Sequence, residues 1–490
     1  MWLERLEQEH QNLRAALQWL LEQGAAGPSR EVALRLGAAL RRFWDVRGHW
    51  SEGRTFLERA LAGSEGVAAS VRAKALRAAA ELALTGGDHD RGEVLCEECL
   101  ALCRKSGDKQ GAAYSLFLLG ELAWMRSNYE AARSLIEESL AFWREVGERD
   151  GIAWSLNTLA DVASEQGEYT RGRALYEQSL ALHRELGNKR GVAWSLSGLA
   201  LMLFVSQSDP APIHSVLEES LTLFRELGHK EGIAWVLGLL GQVFLQQGDA
   251  ATARSLLEES VVISREIGVW WSTAQSHSVL ARAAASEGDD AAAHVLYEES
   301  LAIAKKVGNK LLIASCLEGL ADVIAAQGSV GASLAGALWA ARLWGAAEAL
   351  RDAIGAPLPP VYHADYDRSV AAVRSSLGVK AFAIAWTEGR TMTPEQAFAA
   401  KEPATMLTIP QAEPLSTPLA KPASTYLDGL TAREVEVLRL VAQGLTDAQI
   451  AEQLIISPRT FNTHLTSIYN KLGVNSRSAA TCYAIEQHLI

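Results

Sequence analysis

Cysteine is scarce in this sequence, five residues in 490, too few for a disulfide framework. Three of the five cluster as Cys96, Cys99 and Cys103. Their spacing does not argue for a metal centre, because the same slots one repeat later hold Ile136, Ser139 and Trp143, and no second ligand cluster lies nearby. Catalytic signatures are also absent. The chain has no G-x-x-x-x-G-K-[ST] loop to cradle a phosphate, no G-x-S-x-G elbow and no H-E-x-x-H pair. We therefore expect no enzyme, no cofactor and no metal. The stretch Val323–Ala341 lacks charge and is long enough to raise the membrane question. It is rich in Ala, Gly and Ser, however, and Gln327-Gly328 falls where a turn is due. The opening MWLERLEQEHQNLRAAL is charged and amphipathic and has no secretory core. The expectation is a soluble, cytoplasmic chain with no membrane partner. Positive charge is in short supply as well: 46 Lys and Arg against 58 Asp and Glu give a net charge of −12. That balance argues against a protein that coats nucleic acid non-specifically. It leaves room for one local DNA-binding module, because screening confines the effect of charge to about a Debye length.

Apolar residues, by contrast, make up 49% of the chain, which excludes wholesale disorder. The length calls for several domains or a repeat array. Residues 1–24 read as one amphipathic helix carrying Leu3, Leu6, Leu13, Leu17, Leu20 and Leu21 and ended by Gly24; a second helix covers about Glu31–Val46. Then a repeat takes over. Gly107, Gly147, Gly187, Gly228, Gly268 and Gly308 are spaced 40, 40, 41, 40 and 40. A second set, Gly167, Gly248, Gly288 and Gly328, falls midway. A period near 40 without proline or β-branched runs means helical hairpins stacked as a solenoid. The extra residue in the third interval lies at Ser206–Pro212 and lengthens one turn. Ala153, Ala193 and Ala234 let helices approach closely, Leu140, Leu180, Leu221 and Leu301 fill the seam, and pairs such as Glu137-Glu138 face solvent. Trp154, Trp194 and Trp235 recur at one slot. Packing between repeats is the favoured reading for them, and a ligand-facing ladder the alternative. The unit resembles the tetratricopeptide repeat in its longer bacterial form over roughly Arg30–Gln327. That likeness implies a binding scaffold for a protein or small-molecule effector and does not name the ligand.

From Leu334 the pattern changes to a helix closed by a Pro-rich turn, followed by about three short helices. Lys401–Ser424 holds five prolines and reads as an extended linker. The expected division is thus an N-terminal helical segment 1–46, repeats 47–333, a capping segment 334–400, a linker 401–425 and a C-terminal domain 426–490.

In that last domain, Thr431 and Glu434 form a capping box for a helix running to Gly444. Thr446 and Gln449 open a second helix. Leu454–Ile456 is a tight apolar turn. Ser457 caps a third helix with Pro458 at its first position, and a fourth starts near Asn475. Phe461, Leu465, Ile468 and Leu472 make one apolar face of the third helix. Arg459, Asn462, Thr463, Thr466 and Asn470 lie opposite, and such side chains can bond base edges or phosphates. The stretch from Leu430 to Ala480 resembles the LuxR-type helix-turn-helix domain at Glu434, Leu438, Gly444, Ile450, Ala451, Leu454, Ser457, Thr460, His464, Lys471, Leu472 and Gly473. The resemblance implies that the third helix enters the major groove of double-stranded DNA and that the fourth forms a dimer contact. Asn462, Thr463 and Thr466 are the candidates for reading bases; Arg459, Thr460, Lys471 and Arg477 are the candidates for holding phosphates. His464 is at least as readily a packing or capping residue. Phe461-Asn462 stands where the family often has Val-Lys, which costs one positive charge. Five basic and six acidic residues lie between Tyr426 and Ile490, so non-specific grip should be weak and pairing of two copies important.

The fold expected is all-α, a tetratricopeptide-like solenoid followed by a small four-helix DNA-binding domain. The whole also resembles the C-terminal part of large ATPase-containing regulators, without the ATPase; the chain is either a relative that lacks the ATPase or part of a longer protein. The function this implies is a sequence-specific transcription regulator under effector control. The alternative is a protein-interaction adaptor whose DNA-binding domain is weak or vestigial.

Overall fold

The structure is a computed structural model that describes residues 2–23, 28–206, 210–328, 334–400, 432–442 and 449–450, together with 465, 468 and 471. The chain divides into two units, Met1–Thr405 and Met406–Ile490. Among the described residues every regular element is a helix.

The first unit begins with helices Trp2–Gln8 and His10–Glu22, where the sequence suggested a single helix. The break at Glu9 is slight. Glu9 N–H still donates to Arg5 O at 3.0 Å, and Glu9 O still accepts from Leu13 N–H at 2.8 Å, so the backbone ladder passes through it. Gly24 lies outside the described residues. The next helix, Pro28–Arg47, starts three residues earlier than expected, at a proline whose missing N–H costs nothing in the first turn. Helix Trp50–Leu61 follows.

Seven helical hairpins then stack in order: Ala69–Thr85 with His89–Ser106, Lys109–Met125 with Tyr129–Val146, Arg149–Glu165 with Tyr169–Glu185, Lys189–Val205 with Pro210–Leu227, Lys230–Gln246 with Ala250–Ile267, Trp270–Ser286 with Asp290–Val307, and Lys310–Gly328 with Leu334–Ile354. The chain therefore breaks the uncharged run between Gly328 and Leu334 into two helices. No helix among the described residues is long and apolar enough to cross a membrane.

The punctuation follows from local chemistry. Gly107, Gly147, Gly268 and Gly308 close trailing helices with φ of 72°, 75°, 69° and 78°, a left-handed conformation that a Cβ disfavours. Asp88, Asp108, Asn128, Asn188, Asp249 and Asp289 then cap the next helix by accepting from the backbone N–H three residues on. Inside five of the hairpins one buried hydroxyl of the trailing helix donates to an alanine carbonyl of the leading helix. Ser139 reaches Ala113 O at 2.7 Å, Ser179 reaches Ala153 O at 2.8 Å, Ser220 reaches Ala193 O at 2.8 Å, and Ser260 and Ser300 reach Ala234 O and Ala274 O at 2.7 Å. Cys99 takes the same place with Ala73 O at 3.3 Å. Cys96, Cys99 and Cys103 are thus buried repeat positions, as their alignment suggested.

A second slot explains a row of glycines. Cys103, Trp143, His183 and Phe224 press on Gly111, Gly151, Gly191 and Gly232 at the start of the next leading helix. A Cβ at Gly232 would lie 2.4 Å from the Phe224 ring, closer than packed atoms tolerate.

Superhelical winding brings distant hairpins of this unit together. Leu311 N–H donates to Ser127 Oγ at 3.1 Å across 184 residues. Beyond the last hairpin come helices Pro360–Leu377, Val379–Thr391 and Pro394–Ala399. The turn before them folds back inward, and Pro357 sits against Gly167. The linker expected at 401–425 and residues 207–209 of the lengthened turn lie outside the described residues.

Candidate functional site

The winding encloses a cavity of about 830 Å³ along the inner side of the leading helices, closed at one side by Pro357–Tyr366. That volume is in the range of sites for small organic ligands. One repeat slot supplies much of its wall: Glu121, Asp161, Leu201, Gln242, Arg282 and Asp322 sit at successive 40- or 41-residue steps, and all but Leu201 are polar. Each of the six is on the lining. Glu81 is the preceding member of the series. Seven residues before this slot, two turns back on the same helix face, stand Trp154, Trp194 and Trp235.

The tryptophan ladder therefore differs from the favoured expectation. These indoles are half-buried on the cavity wall, joined by Trp124 and Trp271. The neighbouring alanines at 153, 193 and 234 take the inter-helix position, fully buried. The helical offset of one residue turns each indole inward. Trp194 also packs edge-on to Phe224, so a slot that faces the cavity still contributes to cohesion.

Seven carboxyl-bearing residues but only two guanidinium groups line the cavity. Arg351 is committed to Glu318, with Nε at 2.5 Å and a second nitrogen at 2.8 Å from its two carboxylate oxygens. Arg282 lies over the Tyr362 ring, 4.5 Å from its centroid, and Gln242 Nε2 donates to the Tyr362 hydroxyl at 3.2 Å. At the other end Asp161 accepts from the Tyr176 hydroxyl, while Glu121 and Glu165 have no hydrogen-bond or ion-pair partner among the described residues. Each is partly accessible from the cavity yet surrounded by protein. Burial, reinforced by Asp161, pushes the Glu121 carboxyl up to about 8. Burial and Asp161 raise Glu165 to about 7, and burial raises Asp161 itself to about 7 despite the Tyr176 hydroxyl. Asp322 rises to about 7, chiefly through burial. Carboxyls thus outnumber guanidinium groups on the wall, and Arg190, Arg351 and Arg282 offset burial only in part.

In the second unit, helix Ala432–Ala442 buries Val437, Leu438, Leu440 and Val441 and exposes Arg439. Of the third helix, Leu465, Ile468 and Lys471 are described and helical; Ile468 is fully buried, Leu465 half-buried and Lys471 exposed. The burial of Ile468 agrees with the apolar face read from the spacing. Asn462, Thr463, Thr466, Arg459, Thr460 and Arg477 lie outside the described residues, as do the turn at 454–456 and the fourth helix. No residue of the cavity had been singled out from the sequence as polar machinery. The signal was available in the 40-residue slot that keeps its place and changes its chemistry.

Comparison with known proteins finds matches in both units. Residues 428–484 match the bacterial regulatory proteins of the luxR family, and residues 71–145, 151–226 and 232–306 match the tetratricopeptide repeat. A transcriptional regulator of the helix-turn-helix type from Mycobacterium tuberculosis is 38% identical over 136 residues, 28% of this chain and 14% of that protein. A nitrate/nitrite response regulator homologue from Haemophilus influenzae is 50% identical over 62 residues, 13% of this chain and 30% of that protein. The chain thus spans only a small part of the length of these curated relatives. Among solved structures, a Rap protein complexed with competence and sporulation factor superposes over 76% of this chain and 100% of its own, with a TM-score of 0.53 at 12% identity. That likeness concerns the fold.

Proposed function

Starting from a chain that carries tetratricopeptide repeats and a luxR-family domain, we propose that it is a transcription regulator in which the solenoid binds an effector and thereby controls use of the DNA-binding domain. The match over residues 428–484 carries the DNA half of this reading. The cavity, lined by aromatic and acidic side chains, supports the effector half. Helix-turn-helix domains of this kind place their recognition helix in the major groove and bind as dimers on paired half-sites. Here Asn462, Thr463 and Thr466 take the base-reading role, and Arg459, Thr460, Lys471 and Arg477 take the phosphates. Asn462 can bond adenine through two hydrogen bonds. The net −1 charge of residues 426–490 makes the phosphate grip weak, so the dimer is what secures binding.

Selection of bound sequences by the full chain, followed by a mobility-shift titration, tests this. A paired site is expected, with affinity falling steeply in salt. Asn462→Ala should relax specificity at one position and cost about 1–3 kcal/mol there, whereas Arg459→Ala should weaken all sequences alike and lower the salt slope by about one. Failure to select any sequence at low salt would remove the DNA half.

A further inference from the structure

The inner wall combines three features at one end that no structural role requires. Glu121 and Glu165 are carboxylates without partners among the described residues, with Asp161 between them. Trp154 and Trp194 form an aromatic wall beside them. Asn157 also lines the cavity and is only 7% exposed. Its Oδ1 accepts from Ser195 Oγ at 3.0 Å, and its amide nitrogen has no acceptor among the described residues. An amide donor that opens on the cavity is available to a ligand or a water. Carboxylates and indole faces together suit one chemistry, a cation held by charge and by the aromatic quadrupole. The protein itself shows the compatibility: the Arg190 guanidinium lies 4.9 Å over the Trp154 ring.

We infer that this end of the cavity binds a small organic cation, an amine or guanidinium compound bearing a carbonyl, with the positive group among Glu121, Asp161 and Glu165 and the carbonyl accepting from Asn157. Burial first, and for Glu121 and Glu165 the Asp161 charge, raises these carboxyls; a cation favours their ionised form, so binding tightens as pH rises through the range in which they ionise. The inference rests on the reading of the solenoid as the sensing half of the molecule and gives that sensor a ligand class.

Calorimetry of the full chain with L-argininamide and with agmatine, which lacks the carboxamide, tests it. The expected result is saturable binding of one argininamide per chain, weaker binding of agmatine at pH 6, and tighter binding of agmatine, whose charges do not titrate in this range, at pH 8 than at pH 6. Glu121→Gln and Glu165→Gln should each weaken argininamide about tenfold. Asn157→Ala should abolish the preference for argininamide over agmatine. Glu137→Gln on the outer surface should change nothing, which excludes general attraction of a cation to an acidic protein. Melting curves establish that each variant folds. Absence of saturable binding by either compound, or equal affinity in the folded Glu121→Gln chain, overturns the inference. The readout contains no DNA, so its failure leaves the luxR-domain reading standing, and a chain that binds argininamide yet selects no DNA sequence fails only that reading.

Discussion

Trailing and leading helices of the solenoid use the same 40-residue register in opposite ways. On the trailing helices a slot keeps its chemistry: Ser139, Ser179, Ser220, Ser260 and Ser300 all donate to an alanine carbonyl. On the cavity side of the leading helices a slot changes at every step, from Glu121 through Asp161, Leu201, Gln242 and Arg282 to Asp322. The first kind is fixed by packing, because every hairpin must solve the same close approach. The second is free of that demand, so it can be spent on a ligand. Repetition within one chain therefore separates scaffold from site.

The largest effect that would break this contrast lies at the helix crossings. Gly232→Val adds atoms where even a Cβ would be 2.4 Å from Phe224. It should destabilise the chain by about 3 kcal/mol, the upper part of the range for overpacking; chemical denaturation checks it. Gly238→Ala is the sharpening control, because its Cβ would meet nothing nearer than Ser276 Oγ at 3.4 Å. It should be nearly neutral.

Next in size is the repeated hydroxyl. Ser260 donates to Ala234 O and lies 2.9 Å from Ser276 Oγ. Ser260→Ala leaves those groups short of a partner in a dry crossing and should cost about 1–2 kcal/mol.

How much of this was legible follows the same division. The hairpins, their turns and the structural glycines could be read from the sequence, because repeated packing leaves repeated letters. Cys96, Cys99 and Cys103 could be dismissed as a metal site by aligning them with later repeats, and Cys99 indeed holds the serine position. The tryptophan slot misled, since a fixed aromatic is what both a core and a wall produce; only the inward turn of Trp154, Trp194 and Trp235 distinguishes them. The polar slot was passed over because it does not repeat its chemistry, and no single member looks like a motif. Glu121 and Glu165 become significant only once winding places Asp161 and the indoles beside them. For the third helix of the C-terminal domain, spacing placed Ile468 on the apolar face, and its burial agrees with that.

The cavity carboxylates give a smaller effect with a definite sign. Glu121 has its carboxyl raised from 4.5 to about 8 by burial first, then by Asp161, Glu231 and Glu81, against Arg190. Between those values the folded state holds more protons than the unfolded state, so stability falls as pH rises from about 4.5 to about 8. His183 and His277 act oppositely: burial lowers both below 6.5, so stability also falls as pH drops below that value. The melting temperature should therefore peak on the acid side of neutrality and decline toward pH 8.5. Glu121→Gln removes one ionisation and should flatten the alkaline decline, with a higher melting temperature than the parent at pH 8.5 and little difference at pH 5.5.

The least effect is expected where repetition is most visible from outside. Pairs such as Lys109–Glu145 at 2.7 Å, Lys189–Glu226 at 2.8 Å and Lys230–Glu266 at 2.9 Å link the leading and trailing helices of one hairpin at one register. Their regularity invites the view that they hold the solenoid together. Both partners of each are more than half exposed or close to it, and an ion pair in water regains little beyond what its hydration and side-chain entropy cost. Glu226→Gln should thus shift the denaturation midpoint by less than about 0.5 kcal/mol, and that difference should vanish at high salt. A loss comparable with Ser260→Ala would mean that the outer register carries the pairing of the two helices in a hairpin, and would reverse the assignment of scaffold to the buried crossings.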